Sequence, residues 1–142
     1  MNRNMDTKLQ VGVKALLKNK EGQYLMLRRS LEKYPDIKGR WDIVGGRIEP
    51  GSILVDNLKR EIKEETNLNL VGQPQLIAAQ DIIPKPAIHV VRLTYIGEVE
   101  GDIKLDESEN DQYKWCTADE LKQIDDMDIY FKELIDNKQI DV

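Results

Sequence analysis

The sequence predicts an α/β (α+β) protein in which a largely antiparallel or mixed sheet is interrupted by helices. Three observations carry this reading. Short runs rich in aliphatic and aromatic residues dominate the first two thirds of the chain, the pattern of strands. Apolar residues return at helical spacing at Leu54 and Leu58, and again across Met127, Tyr130, Phe131, Leu134 and Ile135. Turn-forming residues stand between these runs.

The elements follow in order. The first eight residues read as a flexible polar tail on one domain spanning residues 1–142. Leu9 to Leu17 and Tyr24 to Arg28 form a hairpin across the turn signal Lys18-Asn19-Lys20-Glu21-Gly22. A polar loop from Arg29 to Arg40 leads into a short strand, Trp41 to Val44, which stops at Gly45-Gly46. Gly46 to Gly51 is a loop, and Ser52 is placed to cap a helix running to about Thr66. Leu76 to Ile83 and His89 to Val99 are strands turned by Pro84-Lys85-Pro86. An acidic connection, Gly101 to Asn110, precedes the strand Tyr113 to Cys116. Thr117 and Glu120 then match a capping box for the short helix Ala118 to Gln123, and Met127 to Asn137 closes the chain as an amphipathic helix.

Composition narrows the function classes. With 40% hydrophobic and 33% charged residues, the chain reads as an ordinary globular protein. No apolar run approaches the ~18 residues of a membrane span, and the start lacks the apolar core of a secretory signal, so no membrane partner and a cytoplasmic setting are expected. The single cysteine, Cys116, excludes an intrachain disulfide and a cysteine-cluster zinc site. A net charge of −5 argues against stable nucleic-acid binding, which rests on many Lys and Arg contacts to phosphate. A small phosphorylated ligand remains compatible, because a bound cation inverts the local field.

The segment GRIEPGSILVDNLKREIKEETNL, residues 46–68, carries the chemistry. Counted from Leu54 and Leu58, the next turns of the apolar stripe land on Glu61 and Glu65. At about 100° per residue, Glu64 lies roughly 60° to one side of Glu61, so the three carboxylates share a patch. Such a like-charged cluster asks for a cation, and a hard divalent ion takes oxygen ligands of this kind. Gly45, Gly46 and Gly51 allow the preceding loop to approach a ligand closely. Arg60 lies around the helix from the patch, placed to pin the loop or a carboxylate.

In this register the chain resembles the Nudix hydrolases (MutT-like pyrophosphohydrolases). Gly46 stands at the first Gly of their box, Arg60-Glu61-Ile62-Lys63-Glu64-Glu65 at the central run, and Leu68 at the closing aliphatic. Two positions depart: Ser52 replaces the first Glu and Asn67 the second Gly. Asn tolerates the left-handed conformation that ends a helix, whereas Ser52 removes a carboxylate. Gly39 to Gly46 and the later Asp111 to Trp115 with Asp119-Glu120-Leu121 extend the resemblance over the chain after the tail.

The resemblance implies a mixed β-sheet sandwiched between α-helices. It also implies hydrolysis of a nucleoside diphosphate linked to another moiety, with water attacking phosphorus and Mg²⁺ (or Mn²⁺) bridging the phosphate oxygens. Glu61, Glu64 and Glu65 are then the metal ligands, with Glu64, Glu65 and Arg60 in catalytic roles. Glu107, Glu109 and Asp111 are further candidates for the general base. Candidate substrate contacts are Arg28, Arg29, Trp41, Gly45 and Gly46, although a core aromatic is the simpler reading of Trp41. The partner is a small nucleotide-type substrate selected by loops Arg29 to Arg40 and Ile82 to Ile88, and a homodimer fits the family. The alternative is a Nudix-fold nucleotide-binding or regulatory module without turnover, for which Ser52 speaks; a relative trimming RNA 5′ ends is disfavoured by the lack of a basic stripe. His89 reads as a strand-edge residue, Cys116 as buried, and Asp125, Asp126 and Asp128 as a solvated turn.

Overall fold

The computed structural model describes residues 6–142, so part of the expected tail lies outside the described residues. Among the described residues ten elements follow one another: β1 (Lys8–Lys18), β2 (Tyr24–Arg29), β3 (Trp41–Asp42), β4 (Val44–Arg47), α1 (Leu54–Thr66), β5 (Asn69–Lys85), β6 (Ile88–Glu100), β7 (Asn110–Cys116), α2 (Ala118–Lys122) and α3 (Ile129–Asp136). The seven strands form one mixed sheet in the order β3-β2-β1-β6-β5, with β4 on β1 and β7 on β2. β1 and β6 run parallel from Lys8↔Ile88 to Lys18↔Glu98; the other pairings are antiparallel.

Strand alternation sends successive β1 residues to opposite faces and builds two cores. Val13, Ala15 and Leu17 join Leu58, Ile62 and Leu68 on the α1 side. Leu16 joins Met26, Ile43, Leu121, Phe131 and Leu134 on the side of α2 and α3. Helices thus cover both faces of the sheet. Leu58 and Ile62 are 0% and 1% exposed, and full burial of such side chains contributes about 1.5–3 kcal/mol each.

Several boundaries differ from the sequence reading. The strand expected over Trp41 to Val44 is two strands, because the chain changes partner at Ile43: β3 pairs with β2, and β4 pairs with β1 through Gly45, Gly46 and Arg47. Ser52 does not cap α1. Glu49-Pro50-Gly51-Ser52 is a turn with Gly51 at φ 88° and Ser52 N–H donating to Glu49 O (3.0 Å). Pro then Gly at its centre is the type II pattern, and it places Ser52 one residue before the cap position, Ile53, which makes no side-chain cap bond. Asn67 ends α1 in the left-handed conformation as expected (φ 66°). β5 begins at Asn69 rather than Leu76, because bulges around Gly72 and Pro74 let it stay paired with β6.

β1 and β2 meet at Lys18↔Tyr24 and then part. β4 takes over the edge of β1, while β3 and β7 flank β2. A cavity of about 720 Å³ opens along this splay.

Candidate functional site

α1 brings two of its three glutamates to the cavity side. The apolar stripe does not end at Leu58 but continues through Ile62 and Thr66, and Glu61 and Glu65 border it half-buried. β4 is seated directly against them. Gly45 N–H donates to Glu65 Oε2 (2.9 Å). A Cβ on Gly45 would lie 2.0 Å from Val13 O, so that position has no room for a side chain, and one on Gly46 would press on the Glu61 carboxylate at 3.1 Å. The two glycines therefore work first by admitting the glutamates and β1. Both also line the cavity.

Glu64 is exposed and turned to Arg60, whose Nη1 donates to both of its oxygens (3.2 and 3.1 Å). The same guanidinium lies 3.3 Å from Glu61 Oε1 and donates to Asn57 Oδ1 (3.0 Å). Glu49 Oε1 stands 3.8 Å away, and Glu49 N–H donates to Asn57 Oδ1. Arg60 thus pins carboxylates and the loop preceding the helix, as its place on α1 suggested. At Ser52 the family's carboxylate is missing, and Glu49 supplies one to Arg60 from three residues earlier.

Burial pushes the Glu65 carboxyl up to about 7, against the opposing pull of Lys14 and the Gly45 N–H. Glu61 is raised for the same first reason, with Arg60 opposing and Glu64 adding. The charge on Glu109 raises both. Among the described residues no three His, Cys, Asp or Glu side chains form a ready metal cage. The donor set still fits a hard cation: two mutually repelling carboxylates at a cavity wall suit Mg²⁺, which keeps several waters and takes its other ligands from substrate phosphates.

The cavity floor holds a second charged cluster. Asp42 is 2% exposed and accepts from Arg29 Nη2 (2.5 Å) and Arg92 Nη2 (3.1 Å), with Lys14 Nζ at 3.0 Å. Arg92 Nη1 also donates to Asp128 Oδ2 (3.0 Å). Burial alone would raise Asp42, but Lys14, Arg92 and Arg29 outweigh it and hold its carboxyl well below the usual range. Asp128 is 6% exposed and its side chain caps α3 through Phe131 N–H, so the expectation of a solvated turn there is overturned. Asp126 accepts from Gly39 N–H (2.7 Å) and ties the loop before β3 to the connection between α2 and α3.

Other expected residues divide between cavity and exterior. Arg29 and Glu109 line the cavity; Tyr34 and Ile37 from the loop after β2, and Ile82 and Pro84 from the end of β5, form its apolar walls. Arg28 and Trp41 do not line it: Arg28 lies over the Trp41 ring at 5.9 Å and donates to Asp111 (2.7 Å), which Arg40 also holds (2.8 Å). Glu107 is exposed. His89 pairs with Asp81 on the outer hairpin, and Cys116 is fully buried. Sequence reasoning missed Lys14, Arg92, Asp42 and Tyr34. A signal existed for the first two, since each is a cation in the middle of an apolar strand, VGVKALL and HVVRLTYI.

A model of the NUDIX domain matches residues 8–137. The RNA pyrophosphohydrolase of Bartonella bacilliformis is 27% identical over 136 residues, 80% of each chain. The NAD-capped RNA hydrolase NUDT12 of Homo sapiens is 29% identical over 86 residues, 61% of this chain and 18% of that protein. The uncharacterized Nudix hydrolase YvcI of Bacillus subtilis is 26% identical over 91 residues, 61% of this chain and 57% of that one. The chain therefore spans less than two thirds of the length of these last two relatives. Two solved structures share the fold at a TM-score of 0.77. The MutT protein from Methanosarcina mazei Go1 does so at 24% identity over 94% of this chain and 95% of that one. The MutT NUDIX hydrolase from Burkholderia pseudomallei does so at 20% identity over 94% and 99%. The match spans every helix and every strand described above, and the chain belongs to the Nudix hydrolase family.

Proposed function

We propose that this chain hydrolyses a diphosphate linkage in a nucleotide-type substrate, with a divalent cation held by Glu61 and Glu65. The observation that carries the reading is the half-buried Glu65 in the wall of a cavity of about 720 Å³, large enough for a small organic moiety, with the Glu61 carboxylate next to it against Gly46. A bound Mg²⁺ or Mn²⁺ would neutralise charge on the phosphate oxygens and make a nearby water more acidic. Gly45 N–H holds Glu65 through Oε2, and its other oxygen would be the one offered to the cation. Arg60 holds Glu61 and Glu64 and keeps α1 registered on the turn before it. Lys14 and Arg29, although tied to Asp42, face the cavity and place cationic groups where an anionic substrate could meet them. Tyr34, Ile37, Ile82 and Pro84 exclude water around the organic part. The names of the relatives, an RNA pyrophosphohydrolase and a NAD-capped RNA hydrolase, support substrates built on nucleotides.

The test is a panel of nucleoside triphosphates, nucleotide sugars, dinucleoside polyphosphates and ADP-ribose with Mg²⁺ or Mn²⁺, reading released phosphate and pyrophosphate. Turnover abolished by a chelator and by Glu65→Gln is expected. Binding of panel members with no turnover by the wild-type protein would replace hydrolysis with the binding-module reading.

A further inference from the structure

The loop between β2 and β3 crosses the cavity rim and is fixed at both ends. At its start Arg29 N–H donates to Arg40 O and Tyr34 N–H to Ser30 O. At its end Gly39 packs on Met127 and Asp128, where a Cβ would come within 2.7 Å of Met127 O. In between, the loop is fastened to the far wall by side chains converging on one carboxylate. Tyr34 Oη donates to Glu109 Oε2 (2.7 Å), and Lys33 Nζ donates to Glu109 Oε1. The backbone is tied at the same place, with Ser30 N–H donating to Glu109 O (2.9 Å).

Glu109 is the acidic residue of the late loop that faces the site. It lines the cavity together with Tyr34 and Glu65, and its charge acts on both Glu61 and Glu65. Of the other carboxylates considered for proton abstraction, Glu65 is the one proposed to hold the cation and Glu107 is exposed outside the cavity lining. Asp111 is held by Arg28 and Arg40 outside the cavity, and Glu64 is held by Arg60 at the surface. A carboxylate oxygen carries two lone pairs, so one donor on each oxygen orients Glu109 and leaves acceptor capacity for a water.

We propose that Lys33 and Tyr34 are positioning residues that clamp Glu109 as the general base, fastening the loop over the cavity and the base into one latch. The proposal rests on the hydrolytic reading above. In the step it serves, a water lone pair forms the new O–P bond while its proton passes to Glu109. The bridging P–O bond breaks with its electron pair leaving on the departing phosphate, and Glu109 returns the proton to solvent. Because Lys33 lies outside the cavity lining, its removal acts through Glu109 and not through substrate contact.

The test combines kinetics with amide exchange on the full chain. Glu109→Gln is expected to lower kcat by about 10²–10⁴-fold, the usual worth of a positioned base. Lys33→Ala should lower kcat roughly fivefold to tenfold with KM unchanged, and Lys33→Arg should restore it. In the Glu109→Gln background Lys33→Ala should cost nothing further, since the two residues act as a unit. Without substrate, Tyr34→Phe and Lys33→Ala should both speed exchange of the amides in residues 31–39. Additive effects of Lys33→Ala and Glu109→Gln, a KM effect alone, or unchanged loop exchange would overturn the latch. Full activity in Glu109→Gln would overturn its role as base. A wild-type protein that turns over no substrate refutes hydrolysis itself, a result distinguishable because it needs no variant.

Discussion

Two charged clusters share one cavity and are built on opposite terms. At the floor, two carboxylates, Asp42 and Asp128, meet three cations, Lys14, Arg29 and Arg92, and nearly every contact is closed within the protein. On the α1 wall, Glu61 and Glu65 are half-buried beside each other. Glu65 receives one backbone N–H and feels Lys14 at a distance, while Glu61 shares Arg60 with Glu64. The consequence is visible in their acidities, which move in opposite directions: Asp42 down, Glu65 up to about 7. Satisfied buried charge stabilises one arrangement of the chain, whereas under-partnered buried charge costs stability until something binds.

The contrast can be broken at several points. The largest effect is expected from Glu65→Gln, a loss of at least ~10²-fold in kcat/KM, equivalent to about 2.7 kcal/mol of barrier. The same substitution should leave the metal-free protein as stable or more stable. Steady-state rates and urea melts on one preparation check both halves. Asp42→Ala should do the reverse first: by leaving buried cations unpaired it destabilises by roughly 3–5 kcal/mol, read from the urea midpoint.

pH separates the clusters by sign. Asp42 has a folded pKa below its unfolded value, so its stabilisation is present above about pH 4 and is lost as the pH falls below that. Glu65 has a folded pKa of about 7, above its unfolded value, so it weakens the metal-free fold progressively as the pH rises from about 4.5 to 7. Thermal melts of the metal-free protein should therefore show Glu65→Gln raising Tm more at pH 8 than at pH 5. An equal gain at both would show that Glu65 is not strained by burial. The smallest effect is reserved for the exterior pair: Arg28→Ala should shift stability by at most about 1 kcal/mol, and should leave KM unchanged because Arg28 does not line the cavity.

The shared patch of Glu61 and Glu65 was legible because carboxylates at helical spacing form a local pattern, and both spacing and register are read directly from neighbouring residues. The capping box at Thr117 and the left-handed end at Asn67 were legible for the same reason. Ser52 misled because a Ser ahead of a helical pattern reads as a cap, while Pro50-Gly51 had already committed it to a turn. The floor cluster was not legible. Lys14 and Arg92 were passed over although each is a cation within an apolar strand, and their partners Asp42 and Asp128 lie 28 and 36 positions away and meet them through the sheet order and the placement of α3. The split at Ile43 was invisible too, since one strand changing partners leaves no trace in residue type.

The parting of β1 and β2 after Lys18↔Tyr24 has a further consequence. The cavity is opened by which strands pair with which, and its space is held by backbone hydrogen bonds to β3, β4 and β7. It is therefore present before any ligand arrives. Ligands that use it meet a preorganised receptor, and their affinity is not reduced by the cost of separating packed strands.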